Sequence, residues 1–245
     1  MSIRPSIYKL LEPDTTGSWA TENASMLQLR QNTLALFRTL HADMSLNEIC
    51  SLYEKLVAAK RALDDWYSRI PMQLRWSTDE TTVIHPTSGG RYQAYLQTRY
   101  LETRELILRP STYVLLHVQC LQRSTNAPGS GMLNDILCNH YRIQFKVMSL
   151  QHRALISARL DSYQNPDTEQ PLSDAGWLRI RSCLGLALLL MATEQVISRD
   201  SAGEGSSLNG DYTSVLDGIE GSFRNDRTSG LARIYANLLH DLRAS

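Results

Sequence analysis

The sequence predicts an all-α protein, a single helical bundle of about eight helices with an Arg-Pro helix break near residue 110. Three observations carry this. Apolar residues recur every three to four positions through most of the chain, and no strand-length run of alternating β-branched residues interrupts them. The turn formers, 13 Gly and 8 Pro, gather between the apolar windows. At 245 residues, 42% hydrophobic and 20% charged, the chain has the length and composition for a sizeable core.

Residues 1–20 hold Pro5, Pro13 and Gly17 and read as an irregular N-terminal arm, with residues 21–245 as one all-helical domain. A first helix is expected from Asn23 to Asp43, with Leu27, Leu34, Phe37 and Leu40 on its apolar face. Ser45-Leu46-Asn47-Glu48 has the spacing of a capping box, in which the Ser and Glu side chains each satisfy a free backbone N–H of the other. Behind it Ile49, Tyr53, Leu56, Leu63, Trp66 and Ile70 mark an amphipathic helix over 46–69, ended by Pro71. Ser77–Gly90 is polar and rich in turn formers and reads as a loop.

Arg91–His117 is expected to be the organising unit. Leu96, Tyr100, Leu101, Leu106, Ile107 and Leu108 give it an apolar face, while Arg99, Glu102, Glu105 and Arg109 stand three or four apart as a charge ladder. Pro110 lacks an N–H and disfavours helical backbone before it, so the helix should stop near Arg109 and a second one turn back. After a loop at Arg123–Gly131, Leu133–Asp161 shows a face of Leu133, Ile136, Leu137, Tyr141, Phe145, Met148, Leu155 and Ile156. Asn165–Asp174 is a further loop, with Ser173 placed to cap a helix over Ala175–Arg199. That helix is apolar nearly all round from Leu184 to Met191 and is expected at the buried centre. Asp200–Gly210 reads as a linker, and short helices over 211–221 and 229–243 close the chain, the last with Leu231, Ile234, Tyr235, Leu238 and Leu239 inward.

Composition excludes several functions. Lys plus Arg equals Asp plus Glu at 25 each, with no basic stripe for a phosphate backbone, so no direct nucleic-acid binding is expected. Cys50, Cys120, Cys138 and Cys183 are scattered and read as reduced thiols. The N-terminus shows no apolar signal segment, and the most apolar run, Cys183–Ala192, is half the length of a membrane span; the expected location is intracellular. No HExxH, His-x3-His or CxxC spacing offers a metal site, no GxSxG a serine nucleophile, and no glycine-rich phosphate cradle a nucleotide site. No metal and no cofactor are expected. The remaining constellation is a set of polar aromatics and arginines among apolar faces: Tyr95, Arg99, Tyr100, Tyr113, His117, Tyr141 and Arg181. Such groups form either a salt-bridge network, with Glu102, Glu105 or Glu194 as partners, or the polar lining of an apolar pocket.

Leu63–Leu74, LDDWYSRIPMQL, followed after a loop by the helix ending in Leu108-Arg109-Pro110, resembles the fungal-specific transcription factor domain, the middle homology region of binuclear-zinc-cluster regulators. Trp66, Pro71, Leu74, Tyr100, Arg109 and Pro110 match that family's elements in order. The apolar helix with Trp177, Cys183 and Ala187–Ala192 is similar to its buried helix. The resemblance spans residues 45–200 and implies an all-helical domain that binds small effectors or restrains an attached activation region. The chain departs from the family in lacking the six-cysteine zinc cluster that reads DNA.

Two functions follow as expectations. The first is a cofactor-free enzyme of fungal secondary metabolism, a cyclase, pericyclase or isomerase that folds an apolar natural product into a reactive shape. In it Arg99, Tyr100, His117 and Arg181 would polarise the substrate, and Tyr95, Tyr113, Tyr141, Trp177 and Glu194 would line the pocket. The second is an effector- or partner-binding regulatory domain without its DNA reader, which would be nuclear where the first is cytoplasmic. Both take an apolar small molecule, and a homodimer is open to both.

Overall fold

The computed structural model describes residues 13–77, 90–119, 121, 132–164, 176–201, 212–225 and 230–244. They form seven α-helices: α1 Pro13–Phe37, α2 Leu46–Arg69, α3 Gly90–His117, α4 Met132–Gln164, α5 Gly176–Ser201, α6 Tyr212–Asn225 and α7 Gly230–Ala244, with a single 3-10 turn at Met72–Leu74. Among the described residues there is no strand, and no helix is long and apolar enough to cross a membrane. Most of the expected loops at 77–90, 123–131, 165–174 and 200–210 lies outside the described residues.

Helix α2 starts and stops where local chemistry dictates. The Ser45 hydroxyl accepts from the Glu48 N–H at 3.4 Å, and the Glu48 carboxylate accepts from the Ser45 N–H at 2.7 Å, so both halves of the capping box are made. At the other end Ile70 turns extended before Pro71. Ile49, Leu56, Leu63, Trp66 and Ile70 are buried as the spacing predicts.

The helix break at Arg109-Pro110 does not occur. Helix α3 runs through Pro110 to His117, so one described helix stands where two were expected. A proline inside a helix costs about 3 kcal/mol. Breaking the helix there would withdraw Ile107 and Leu108 on one side and Val114 on the other from the core, each worth about 1.5–3 kcal/mol of burial. Immediately after the proline, the Ser111 hydroxyl donates to the Leu108 carbonyl at 2.6 Å and meets the Ser149 hydroxyl of α4 at 3.0 Å. Non-local burial outweighs the local penalty.

Three apolar clusters surround α3. One joins α2, α3 and α4 through Ile49, Leu56, Leu108, Val114 and Phe145. A second sets Met26 of α1 and Leu63 and Trp66 of α2 against Leu96, Tyr100 and Ile107 of α3, with Trp76 closing the end. The third gathers Ile156 and Leu160 of α4, Ala187 and Leu190 of α5, Leu216 and Phe223 of α6, and Leu239 of α7. Helix α3 touches α1, α2, α4 and α5, while α4 touches α2, α3, α5 and α6. These two, rather than α5, are the centre: α5 keeps Gly185 and Leu188 at the surface, against the expectation of an all-round buried helix.

Other expected faces also move. Helix α1 begins at Pro13, inside the stretch read as an irregular arm, and ends at Phe37. It buries Met26 and Thr33 and leaves Leu27 and Leu34 exposed. Thr33 enters the interior because its hydroxyl donates to the Leu29 carbonyl at 2.8 Å. In the first turns of α4, Leu133, Ile136 and Leu137 face outward while Cys138 is buried. In α7, Ala236 and Leu239 are buried while Ile234 and Leu238 are exposed. Each of these helices carries apolar residues on more than one side, and the position of its neighbours selects the side that is buried.

Candidate functional site

Where α3, α4 and α5 meet, the apolar packing gives way to a buried polar layer. Glu105 and Arg109 stand one turn apart on α3 and pair in a fork: Arg109 Nε and Nη2 donate to the two carboxylate oxygens at 2.8 and 2.7 Å. From α4, His152 Nε2 donates to Glu105 Oε1 at 3.1 Å. The Glu105 side chain is 4% exposed and that of His152 0%. Burial alone would push the Glu105 carboxyl up. The hydrogen bonds from His152 and Arg109 and their charges outweigh it and hold the group at about 2, so it is an anion.

The other face of His152 continues the layer. Nδ1 lies 3.2 Å from the Thr112 hydroxyl, which lies 3.3 Å from the Thr193 hydroxyl of α5. Thr193 donates to the Leu189 carbonyl at 2.7 Å. The Thr193 proton is thereby committed, so the Thr112 hydroxyl can donate either to Thr193 or to His152 Nδ1. Beside this chain Arg153 of α4 ion-pairs with the buried Glu194 of α5. Burial pushes the Glu194 carboxyl up, and the Arg153 charge opposes this in part.

The layer opens to solvent through a cleft of about 380 Å3 bounded by α1, α3, α4 and α5. Arg30, Glu102, Glu105, Arg109 and Arg159 supply its charged wall, and Leu106, Leu186 and Leu189 its apolar one. Arg30 Nη1 donates to Glu102 Oε2 at 2.9 Å. Three arginines and two glutamates stand in the lining, with Arg30 paired to Glu102 and Arg109 to Glu105. Gly185 matters here: an added Cβ would meet nothing within 4 Å, so its missing side chain contributes to the space. A larger, more open groove at α6 and α7 is lined by Asp217, Glu220, Gly221, Arg224, His240 and Arg243. Its side chains are paired with one another, Arg224 and His240 with Glu220, and Arg243 with Asp217 and Glu220.

The residues expected from sequence to form one site are not brought together. Arg99 and His117 lie on the same helix about 27 Å apart by the helical rise. Arg99 spans the exposed Tyr95 ring, 5.2 Å from its centroid, and pairs with Glu102 at 3.4 Å. Tyr100 is a core residue, packed with Tyr67 and Trp76 at centroid separations of 5.5 and 5.7 Å. His117 is exposed and sits against the half-buried Tyr113, ring centroids 4.7 Å apart. Arg181 is exposed on α5. Tyr141 donates to Cys50 Sγ at 2.8 Å, and this bond with partial burial and the nearby Cys50 and Glu54 pushes its hydroxyl up to about 12. The Trp177 side chain lies outside the described residues. Only Glu194 belongs to the buried layer, and only the Arg99–Glu102 and Glu105–Arg109 ladder forms as its spacing predicts.

Sequence reasoning missed His152, Thr112, Thr193, Arg153, Arg30 and Arg159. A signal for the first was present: Cys138, Phe145 and His152 are seven apart, so the histidine continues the inward face of α4. A histidine on a core stripe requires partners, and the Glu105-Arg109 pair was available. No protein-family model matches the chain, and neither a curated protein nor a solved structure matches it.

Proposed function

We propose that the protein is a ligand-binding module, and that its ligand is an apolar small molecule carrying one acidic group, held in the cleft between α1, α3, α4 and α5. The carrying observation is a charged wall holding three arginines and two glutamates, opposite an apolar wall of leucines, around a space of about 380 Å3, within the usual size of small-molecule sites. The arginines would take the acid and the leucines the hydrocarbon. Glu105 supports binding over catalysis: an anion at about 2, tied by three hydrogen bonds, is a poor proton acceptor near neutrality.

This reading is the effector-binding form of the resemblance to the fungal-specific transcription factor domain. Trp66 and Tyr100, two of the residues that carry the resemblance, share one apolar cluster, with Leu74 packed against it. A cofactor-free cyclase or isomerase would use the same cleft, so turnover is an outcome of the same test.

The probes are medium-chain and aryl carboxylic acids with their methyl esters, measured by native mass spectrometry and calorimetry and followed over time. Acids binding at micromolar concentration, esters at least tenfold weaker and no conversion support the reading. Gly185→Phe should abolish binding while leaving the protein folded, because the ring enters open space. Equal binding of acids and esters, or binding unchanged in Gly185→Phe, refutes the site. Conversion of a bound acid would establish an enzyme.

A further inference from the structure

The outward face of α4 is patterned as a helix-pairing seam. Leu133, Ile136, His140, Ile143, Val147 and Leu150 follow one another at spacings of three and four, the a and d positions of a heptad repeat. Cys138, Phe145 and His152 fall opposite, on the buried side. The seam is open to water: Leu133 is 68% exposed, Ile136 57%, Ile143 51% and Val147 47%, with His140 also exposed and Leu150 half-buried. An exposed apolar row of this kind, here interrupted by His140, marks an interaction surface.

We infer that this seam pairs with the same seam of a second copy, α4 against α4, in antiparallel fashion about a two-fold axis near Tyr141-Arg142. The row is self-complementary in that arrangement. Leu133 meets Leu150 of the second copy, Ile136 meets Val147, and His140 meets Ile143, with every layer repeated by the two-fold. A parallel in-register pair would set His140 against itself and align the helix dipoles unfavourably. The residues flanking the seam are Leu137, Asn139, Gln144 and Lys146, one charge among four, so little like-charge repulsion opposes a second copy.

The area agrees with a reversible dimer. Complete burial of the exposed parts of the six seam residues would remove at most about 1,200 Å2 from the pair, the lower edge of a standard interface. The polar His140 lowers affinity, as a polar core position does in coiled coils. The inference is independent of the ligand cleft, which lies on the α1, α3 and α5 side of the molecule.

Sedimentation velocity of the full chain over micromolar to submillimolar concentration tests it. The wild type should pass from monomer to dimer across that range. Ile136→Glu combined with Ile143→Glu should remain monomeric with an unchanged helical circular dichroism spectrum. His140→Leu should tighten the dimer at least tenfold and remains informative if the double variant fails to fold. A wild type that stays monomeric, a double variant that still dimerises, or a His140→Leu protein no tighter than wild type would each overturn the proposal.

Discussion

Replacing Glu105 by Gln probes the buried layer with little change in volume. The carboxylate accepts two bonds from Arg109 and one from His152. Gln replaces one accepting oxygen by an NH2, which meets an N–H donor whichever way the amide is turned. The expected loss at pH 7 follows from the carboxyl's shift from 4.5 in the unfolded chain to about 2 in the folded one, which corresponds to about 3 kcal/mol. Removing one partner of a buried ion pair independently costs about 3–5 kcal/mol. The sign follows from proton counting. Between about 2 and 4.5 the unfolded chain binds this proton and the folded chain does not, so the contribution is complete above 4.5 and disappears as pH falls through about 2. Urea unfolding followed by circular dichroism at pH 7, 4.5, 3 and 2 measures it. The gap between wild type and variant should be about 3 kcal/mol at pH 7, begin to narrow near 4.5 and close near 2. Other carboxylates titrate in both proteins and cancel in the difference. A gap that is the same at every pH, or under about 1 kcal/mol at pH 7, would refute the assignment of an ionised, doubly partnered carboxylate.

Ser45→Ala should lower the thermal midpoint by about 2–4 °C, the effect of losing an N-cap in a chain of this size. Differential scanning calorimetry checks it, and no change would mean that the cap is not formed in solution. Phe145 is fully buried and meets the Tyr53 ring edge-on at 5.9 Å, so Phe145→Ala should cost about 3–5 kcal/mol in urea unfolding. His117→Ala and Arg181→Ala remove exposed groups that do not line the cleft, and each should leave stability within about 0.5 kcal/mol and ligand uptake unchanged. A variant of either residue that lost binding would restore it to the site.

The helices were legible because their signals are local. The Ser45-Glu48 box, the Ile49-to-Ile70 spacing and Pro71 bound α2, and each acts within a turn or two of its own position. The Glu105-Arg109 ladder was legible for the same reason, since one helical turn brings the two side chains together. Periodicity reports that a helix has an apolar side, but the hydrophobic effect has no direction, so neighbours choose the side when there are several. Leu27, Ile136 and Ile234 were placed inward and are exposed, because α2 and α3 bury the Met26 side of α1, α2 and α3 the Cys138 side of α4, and α6 the Ala236 side of α7. Pro110 shows the same limit: its local cost is readable from one residue, whereas the burial that outweighs it comes from α2, α4 and α5, distant in the chain. The candidate site belongs wholly to that second kind. His152 lies 47 residues from Glu105, and Thr193 81 residues from Thr112, and only the packing of α3, α4 and α5 brings them within hydrogen-bonding distance.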